Sequence, residues 1–145
     1  MILESERRAI VETLVRYCTA LDTGAWDLLG DVFLPNARVD YTGAGGPVLS
    51  GAEAAHWLEE EMARFKVLQH FVSNVRVVQD GDEVRSNAYV LAVHGYEGDD
   101  GEMRFFDVGG EYNDRLVETS AGWRISERVQ TTRWVRGDVP QDSLE

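Results

Sequence analysis

The feature that most constrains this chain is a change of hydrophobic period near residue 68. Before it, apolar residues recur every three to four positions, as in amphipathic helices, and after it they alternate, as in strands. Four long alternating segments follow, over 68–79, 83–96, 103–118 and 122–134. Strands longer than the usual five or six residues twist and curl when they share a sheet. We therefore predict an α+β domain with a curved antiparallel or mixed sheet.

The first third of the chain supplies the helices of this domain. Ser5 is predicted to cap a first helix that ends at Thr23-Gly24. A short second helix is predicted over 25–33, a short strand over 37–41 and a third helix over 51–66. N-terminal helices across the open side of a curled sheet form a cone. Such a cone offers an interior pocket for a small molecule.

Length and charge limit the partners. The 145 residues predict one domain over 1–135, followed by a polar, frayed tail over 136–145. The net charge of −12 repels phosphate backbones and anionic lipid, so neither nucleic acid nor membrane is an expected partner. The single cysteine, Cys18, excludes an internal disulfide, and no secretory signal or apolar run of about 20 residues is present. A cytoplasmic location is the resulting expectation.

The motifs of cofactor and metal sites are missing from the sequence. The loop Gly43-Ala44-Gly45-Gly46 lacks the Lys and Ser or Thr of a phosphate-binding loop. No spacing of Cys and His indicates a metal site. We therefore expect no cofactor and no metal, and a small hydrophobic molecule as the partner.

Only three histidines are available for chemistry. His56 lies in the predicted third helix and is interpreted as a surface residue. His70 lies early in the first long strand, where alternation places it on one face with Val72 and Val78, and His94 lies late in the next strand. A histidine among apolar neighbours is more often a core residue than a catalyst, so both interpretations remain open for His70 and His94.

Asp22 is the carboxylate that suggests a role for a histidine. It follows the last apolar residue of the first helix, and the helix macrodipole disfavours a negative charge there. One interpretation is a solvated turn residue. The other is that Asp22 accepts a hydrogen bond from one ring nitrogen of a histidine, so that the other nitrogen acts as a general base.

Five segments resemble the SnoaL-like branch of the nuclear transport factor 2-like superfamily. The resemblance runs in order from Ile10 to about Trp134 and implies a cone of helices over a curved sheet. The segments are Tyr17-Cys18-Thr19-Ala20-Leu21-Asp22-Thr23-Gly24-Ala25-Trp26-Asp27, Phe33-Leu34-Pro35-Asn36-Ala37-Arg38-Val39-Asp40-Tyr41, Leu68-Gln69-His70-Phe71-Val72-Ser73-Asn74, Gly110-Glu111-Tyr112-Asn113-Asp114 and Gly122-Trp123-Arg124-Ile125.

Within that superfamily the pattern is similar to scytalone dehydratase, hexachlorocyclohexane dehydrochlorinase and the bile acid 7α-dehydratases. Those enzymes use an Asp–His dyad, and the resemblance implies that Asp22 and His70 form it here. The same resemblance implies that Tyr17, Tyr41 and His94 are active-site residues. The chain departs from scytalone dehydratase at Leu21, where that family has a Tyr, so its substrate is not expected to be the same.

The sequence therefore predicts a cofactor-independent lyase of the dehydratase type, acting on a small hydrophobic or polycyclic substrate. The alternatives are an isomerase or a polyketide-type cyclase, which begin with the same proton abstraction, and a non-catalytic ligand-binding module. Strands with apolar residues on both faces need a cover on the side away from the helices. A homodimer or higher homo-oligomer across the outer sheet face is the corresponding expectation.

Overall fold

The computed structural model describes residues 1–141, in which helices pack against one sheet, so the predicted α+β class is confirmed. The helices are α1 (Glu4–Thr23) and α2 (Gly51–Met62), with short 3-10 helices at Trp26–Asp31 and Thr42–Ala44. The strands of this part of the chain are β1 (Phe33–Asp40), β2 (Val48–Ser50), β3 (Val67–Asp80), β4 (Glu83–Glu97), β5 (Met103–Thr119) and β6 (Gly122–Gly137).

The strands form one mixed sheet in the order β2-β1-β6-β5-β4-β3. Neighbouring strands are antiparallel except β1 and β6, which are parallel. Register shifts interrupt the pairing of β1 with β6, of β3 with β4, and of β5 with β6. Because each bulge bends its strand, the long strands curve around the helices. The predicted curved, mixed sheet is therefore present.

The four predicted long strands are confirmed, with ends that differ by at most three residues. One detail of their alternation is wrong. The bulge between Ser73 and Arg76, where Asn74 has a φ of 53°, shifts the face of all later β3 side chains. Val78 is therefore exposed rather than on the face of His70, and Val77 is half-buried in its place.

The predicted helix ends need correction. Ser5 is not a cap, because α1 begins at Glu4 and the backbone N–H of Leu3 donates to the Glu6 carboxylate. The predicted helix over 25–33 is a 3-10 turn, since strand pairing already begins at Phe33. β1 therefore begins four residues before the strand that was predicted over 37–41.

The helix predicted over 51–66 ends at Met62. A capping box stabilises its N-terminus, because the Ser50 hydroxyl accepts a hydrogen bond from the Glu53 N–H and the Glu53 carboxylate accepts one from the Ser50 N–H. At the other end, the backbone N–H of Lys66 donates to the Gly95 carbonyl on β4, and Phe65 packs against the inner face of the sheet. Pairing with β4 thus ends the helix early.

The C-terminal segment differs from the predicted polar tail. β6 continues to Gly137, whose φ of +99° turns the chain so that the Asp138 N–H donates to the Phe105 carbonyl. Pro140 is buried. The segment up to residue 140 therefore packs on the domain, and the part of the prediction that concerns residues 142–145 lies outside the described residues.

The core fills the space between α1 and the concave face of the sheet. It is contiguous and apolar, and its fully buried members include Ile10, Leu14, Leu29, Val32, Val39, Ala54, Ala88 and Ile125. Within residues 1–141 no helix is long and apolar enough to cross a membrane. The polar side chains buried among these core residues define the candidate site.

Candidate active site

Asp22 and His70 are in direct contact where the end of α1 meets β3. Asp22 Oδ1 lies 2.6 Å from His70 Nδ1, and its two carboxylate oxygens lie 3.1 and 2.9 Å from the His70 backbone nitrogen. β3 is an edge strand, so an N–H group on its outer edge has no strand partner, and the carboxylate satisfies it. The contact expected between these two side chains is present.

The geometry fixes the proton arrangement of the His70 ring. A carboxylate can only accept, so Nδ1 carries the proton and, in the neutral ring, Nε2 has a free lone pair. The His70 side chain is 5% exposed and that of Asp22 is 20% exposed. The imidazole is thus held within the interior while its partner keeps some contact with solvent. Hydrogen bonds from His70 also offset the unfavourable position of Asp22 at a helix C-terminus.

His94 lies beside the dyad, on the next strand. Its ring centroid is 6.1 Å from that of His70 and 4.2 Å from that of Phe106, on which it stacks almost in parallel. Burial, with a smaller contribution from His70, lowers the pKa of His94 to about 4. His94 is therefore neutral at pH 7, and its buried Nδ1 has no hydrogen-bond partner among the described residues.

Tyr17 and Tyr41 lie in a second buried cluster. Their hydroxyl oxygens are 2.8 Å apart, and both side chains are almost completely buried. One hydroxyl donates to the other, which leaves the second proton of the pair free to donate elsewhere. Burial raises the pKa of Tyr17, and it raises that of Tyr41 well above its ordinary value. Both phenols are therefore neutral donors at pH 7.

The second cluster is built around Arg128, which the sequence analysis missed. Its guanidinium lies 4.3 Å from the Tyr17 ring centroid and 4.0 Å from that of Tyr112. Two 2.8 Å hydrogen bonds join it to the carboxylate of Asp114, and both side chains are 0% exposed. Burial lowers the pKa of Arg128, but the adjacent carboxylate more than reverses this, so the group stays charged.

The reason Arg128 was missed is a bulge. Strict alternation from Trp123 and Ile125 on β6 would place Glu127 on the inner face. The register shift between β5 and β6 near Leu116 inserts one residue, so that Arg128 points inward instead. The inward position of Asp114 could have been predicted, because it is two residues from Tyr112 on β5 and such residues share a face of the sheet.

A cavity of about 790 Å³ opens beside these clusters. His94 and Phe106 lie on one side, and Trp57 of α2, which stacks on Tyr41 with ring centroids 5.2 Å apart, lies on another. The remaining lining is the loop 43–46, Glu60, Glu61 and Met62 of α2, and Arg64, Phe65, Val108, Thr132, Val135 and Val139. The volume is within the range of small-molecule sites.

The five predicted residues thus separate into two groups. Asp22, His70 and His94 are near one another, whereas Tyr17 and Tyr41 belong to the arginine cluster. The two groups are neighbours along α1, because Tyr17 and Asp22 are five residues apart on that helix, which is about 7.5 Å along its axis.

Two other side chains have no part in the site. His56 is a surface residue, as predicted, and its Nε2 lies 3.1 Å from the Glu60 carboxylate. Burial raises the pKa of the Cys18 thiol to about 12, so it is not a nucleophile at neutral pH. Among residues 1–141, no group of three or more His, Cys, Asp and Glu side chains is arranged to hold a metal ion.

Comparison with known proteins matches a family model described as a SnoaL-like domain to residues 4–129. The uncharacterized protein Rv2910c from Mycobacterium tuberculosis is 35% identical over 127 residues, which cover 88% of this chain and 85% of that protein. The chain therefore belongs to the SnoaL-like domain family.

Solved structures show the same fold. A scytalone dehydratase-like protein from Novosphingobium aromaticivorans has a TM-score of 0.80 at 24% identity, covering 94% of this chain and 90% of that chain. A hexachlorocyclohexane dehydrochlorinase, LinA type 2, has a TM-score of 0.78 at 16% identity, covering 93% and 90%. At these identities the likeness establishes the cone fold alone.

Proposed function

We propose that this protein is a cofactor-independent lyase that removes water from a neutral, hydrophobic β-hydroxy carbonyl compound. The observation that carries the proposal is the contact of Asp22 with both the ring and the backbone nitrogen of His70. A binding pocket has no need of a histidine whose tautomer is fixed and whose other nitrogen is left free. A general base has that need.

In the proposed reaction, His70 Nε2 takes a proton from the carbon next to the carbonyl group. The electron pair of that C–H bond forms the new C=C bond while the C–O bond to the β-hydroxyl breaks. The departing hydroxide takes from the His70 imidazolium the proton that the ring gained and leaves as water, which returns His70 to its neutral form. The products are an unsaturated carbonyl compound and water, and the catalyst is unchanged.

Charge that develops on the carbonyl oxygen needs a donor, and the interior offers two kinds. His94 is neutral, so it donates a hydrogen bond and does not act as a strong acid. The Tyr17–Tyr41 pair has one proton to donate, and the positive charge of Arg128 favours any negative charge that develops nearby. The carboxylates of Glu60 and Glu61 in the cavity lining repel an anion, and the apolar part of the lining offers no hydrogen bonds to a charged group, which supports a neutral substrate.

The test is a screen of β-hydroxy ketones for water loss, starting with 4-hydroxy-4-phenylbutan-2-one, whose product absorbs in the ultraviolet. We expect His70→Gln to lose about 10²- to 10⁴-fold in kcat, the range of a general acid–base step. His56→Gln, a substitution of an exposed histidine, is the matched control and should retain full activity. Unchanged turnover in His70→Gln, or no turnover with any compound that binds tightly, would contradict the proposal.

The same experiment separates the alternatives. An isomerase or cyclase would exchange the α-proton of a bound ketone with D₂O, visible by NMR, without releasing water. A non-catalytic module would bind the ketone and do neither. Exchange that His70→Gln abolishes therefore identifies the base even where water loss is absent.

The cytoplasmic location expected from the sequence stays a prediction. We also propose that the protein forms a homodimer through the outer face of its sheet. That face exposes several large apolar side chains, including Phe71, Tyr89 and Phe105, each more than 40% exposed. Light scattering should give about twice the 16.3 kDa of one chain at micromolar concentration. Phe71→Glu should shift the mass toward the monomer, and a monomeric wild type would contradict the proposal.

A further inference from the structure

The inner face of β6 carries a polar pair that the proposed reaction does not use. Gln130 is buried, and its Nε2 lies 3.1 Å from Thr132 Oγ1 and 3.4 Å from the Thr131 carbonyl oxygen. The other end of the amide, Oε1, is buried without a hydrogen-bond partner among the described residues. A buried amide oxygen without a partner is destabilising, so it needs an explanation.

The position of this pair relative to the dyad follows from the strand register. His70 pairs with Ala92, Ala92 with Val108, and Val108 with Val135, so His70 on β3 and Val135 on β6 lie at the same level of the sheet. Thr132 lies at the next level along β6. Three inter-strand steps of about 4.8 Å place the backbones of β3 and β6 about 14 Å apart along the sheet.

The sheet surface between His70 and Thr132 is formed by small groups. Ala92 and Val90 on β4 and Val108 and Gly110 on β5 occupy the intervening positions at these two levels, and the Thr131 carbonyl packs against Gly110. Val108 and Thr132 both line the 790 Å³ cavity. His94, whose ring centroid is 6.1 Å from that of His70, also lines this cavity, so a flat ligand with one end beside His94 and His70 has its other end near Thr132.

We propose that Thr132 and Gln130 bind a hydroxyl group at the end of the ligand remote from His70. The inference rests on the proposed function in that the ligand is the molecule on which the dyad acts. A hydroxyl fits because it both donates and accepts, and so can pair with the free end of the Gln130 amide as well as with the Thr132 hydroxyl. The pair determines specificity and takes no part in the proton transfer.

Two ketones that differ by one hydroxyl test this contact. The probes are 6-acetyl-2-naphthol, with a carbonyl and a hydroxyl at opposite ends of the rings, and 2-acetylnaphthalene, which lacks the hydroxyl. Binding is measured by calorimetry at pH 6.5, where the naphthol is neutral. We expect wild type to bind the naphthol about tenfold more tightly than the unsubstituted ketone.

The variants are chosen to separate a contact from a structural effect. Thr132→Val and Gln130→Leu should lose the tenfold preference while binding 2-acetylnaphthalene as wild type does, and Thr132→Ser should retain the preference. Thr131→Val, the neighbouring threonine on the exposed face, is the matched control and should change nothing. If Gln130→Leu does not fold, the Thr132 series decides alone.

Several results would overturn the inference. For wild type, they are equal affinity for the two ketones or failure to bind either ketone. For Thr132→Val, they are a retained preference for the naphthol or an equal loss of affinity for both ketones. Binding is measured without turnover, so the two proposals can fail separately. A wild type that prefers the naphthol but removes water from none of the β-hydroxy ketones would refute the proposed lyase activity and leave this contact intact.

Discussion

The interior holds two polar clusters that tolerate burial in different ways. In the dyad cluster, Asp22 keeps 20% of its side chain exposed, and His94 remains neutral with one ring nitrogen unpaired. In the arginine cluster, Arg128 and Asp114 are both charged and fully enclosed, and they neutralise each other through two hydrogen bonds. The first arrangement keeps neutral groups beside the cavity, whereas the second pairs its charges with each other and leaves Arg128 Nη1 without a hydrogen-bond partner among the described residues.

This difference indicates that the arginine cluster carries more of the stability of the fold and that the dyad cluster holds the proposed base. A buried charge pair is strongly destabilising when one partner is lost, so a change there acts on folding. A neutral imidazole beside a cavity can be replaced at a lower cost in stability, and a change there acts on reactivity. The following predictions test that division.

The largest expected effect on stability is the loss of the Asp114 carboxylate. Asp114→Ala leaves the Arg128 charge buried without a counterion, and we expect it to lower the free energy of unfolding by about 3–5 kcal/mol. Urea denaturation measures the change. Asp107→Ala, which removes the partner of the exposed Arg136, is the control and should cost less than about 1 kcal/mol. Equal losses in the two variants would remove the distinction between the clusters.

A double substitution sharpens the same comparison. Asp114→Leu with Arg128→Met replaces the charge pair by apolar side chains, and we expect it to restore most of the stability lost in Asp114→Ala. If the charge of Arg128 also supports the donor pair Tyr17–Tyr41, turnover should still fall about tenfold in the stable double variant. Full activity there would confine Arg128 to a structural role.

The dyad cluster should show its effect in the pH dependence of stability. Between pH 6.5 and about 4, the unfolded chain binds a proton at His94 that the folded chain excludes, because burial lowers the pKa of that residue. Stability therefore falls as the pH falls through this window, by at most about 3 kcal/mol for this residue. His94→Gln should lose less stability than wild type from pH 6.5 to 4. Plots of unfolding free energy against pH that run parallel for wild type and His94→Gln would contradict this prediction.

The smallest expected effects concern the two bonded tyrosines. Tyr17→Phe and Tyr41→Phe each remove one side of the 2.8 Å hydrogen bond, and each should lower the free energy of unfolding by about 1 kcal/mol. Tyr17→Phe should also reduce turnover about tenfold or more while ligand binding is retained. Tyr89→Phe, on the outer face, is the control. Unchanged turnover in both variants would assign the pair to the fold alone.

Much of this architecture follows from local pattern. The change of period from helix to strand, the turn at Gly81 and the length of the four strands are set by residues close together in sequence, because alternation and turn chemistry are local properties. The contact of Asp22 with His70 was also expected, but on the resemblance to dehydratases, since no local pattern joins residues 48 positions apart.

The tertiary structure determined which face of the sheet each side chain occupies, because that depends on the register of the strands. The bulge at Asn74 moved Val78 to the solvent face, and a second bulge turned Arg128 inward, because one inserted residue reverses the face of every side chain beyond it. Packing joined Tyr17 and Tyr41 to Arg128 and lowered the pKa of His94, since burial depends on neighbours from distant strands. The sequence alone determined the strands and the chemical groups, and only the folded sheet determined which groups share an enclosed space.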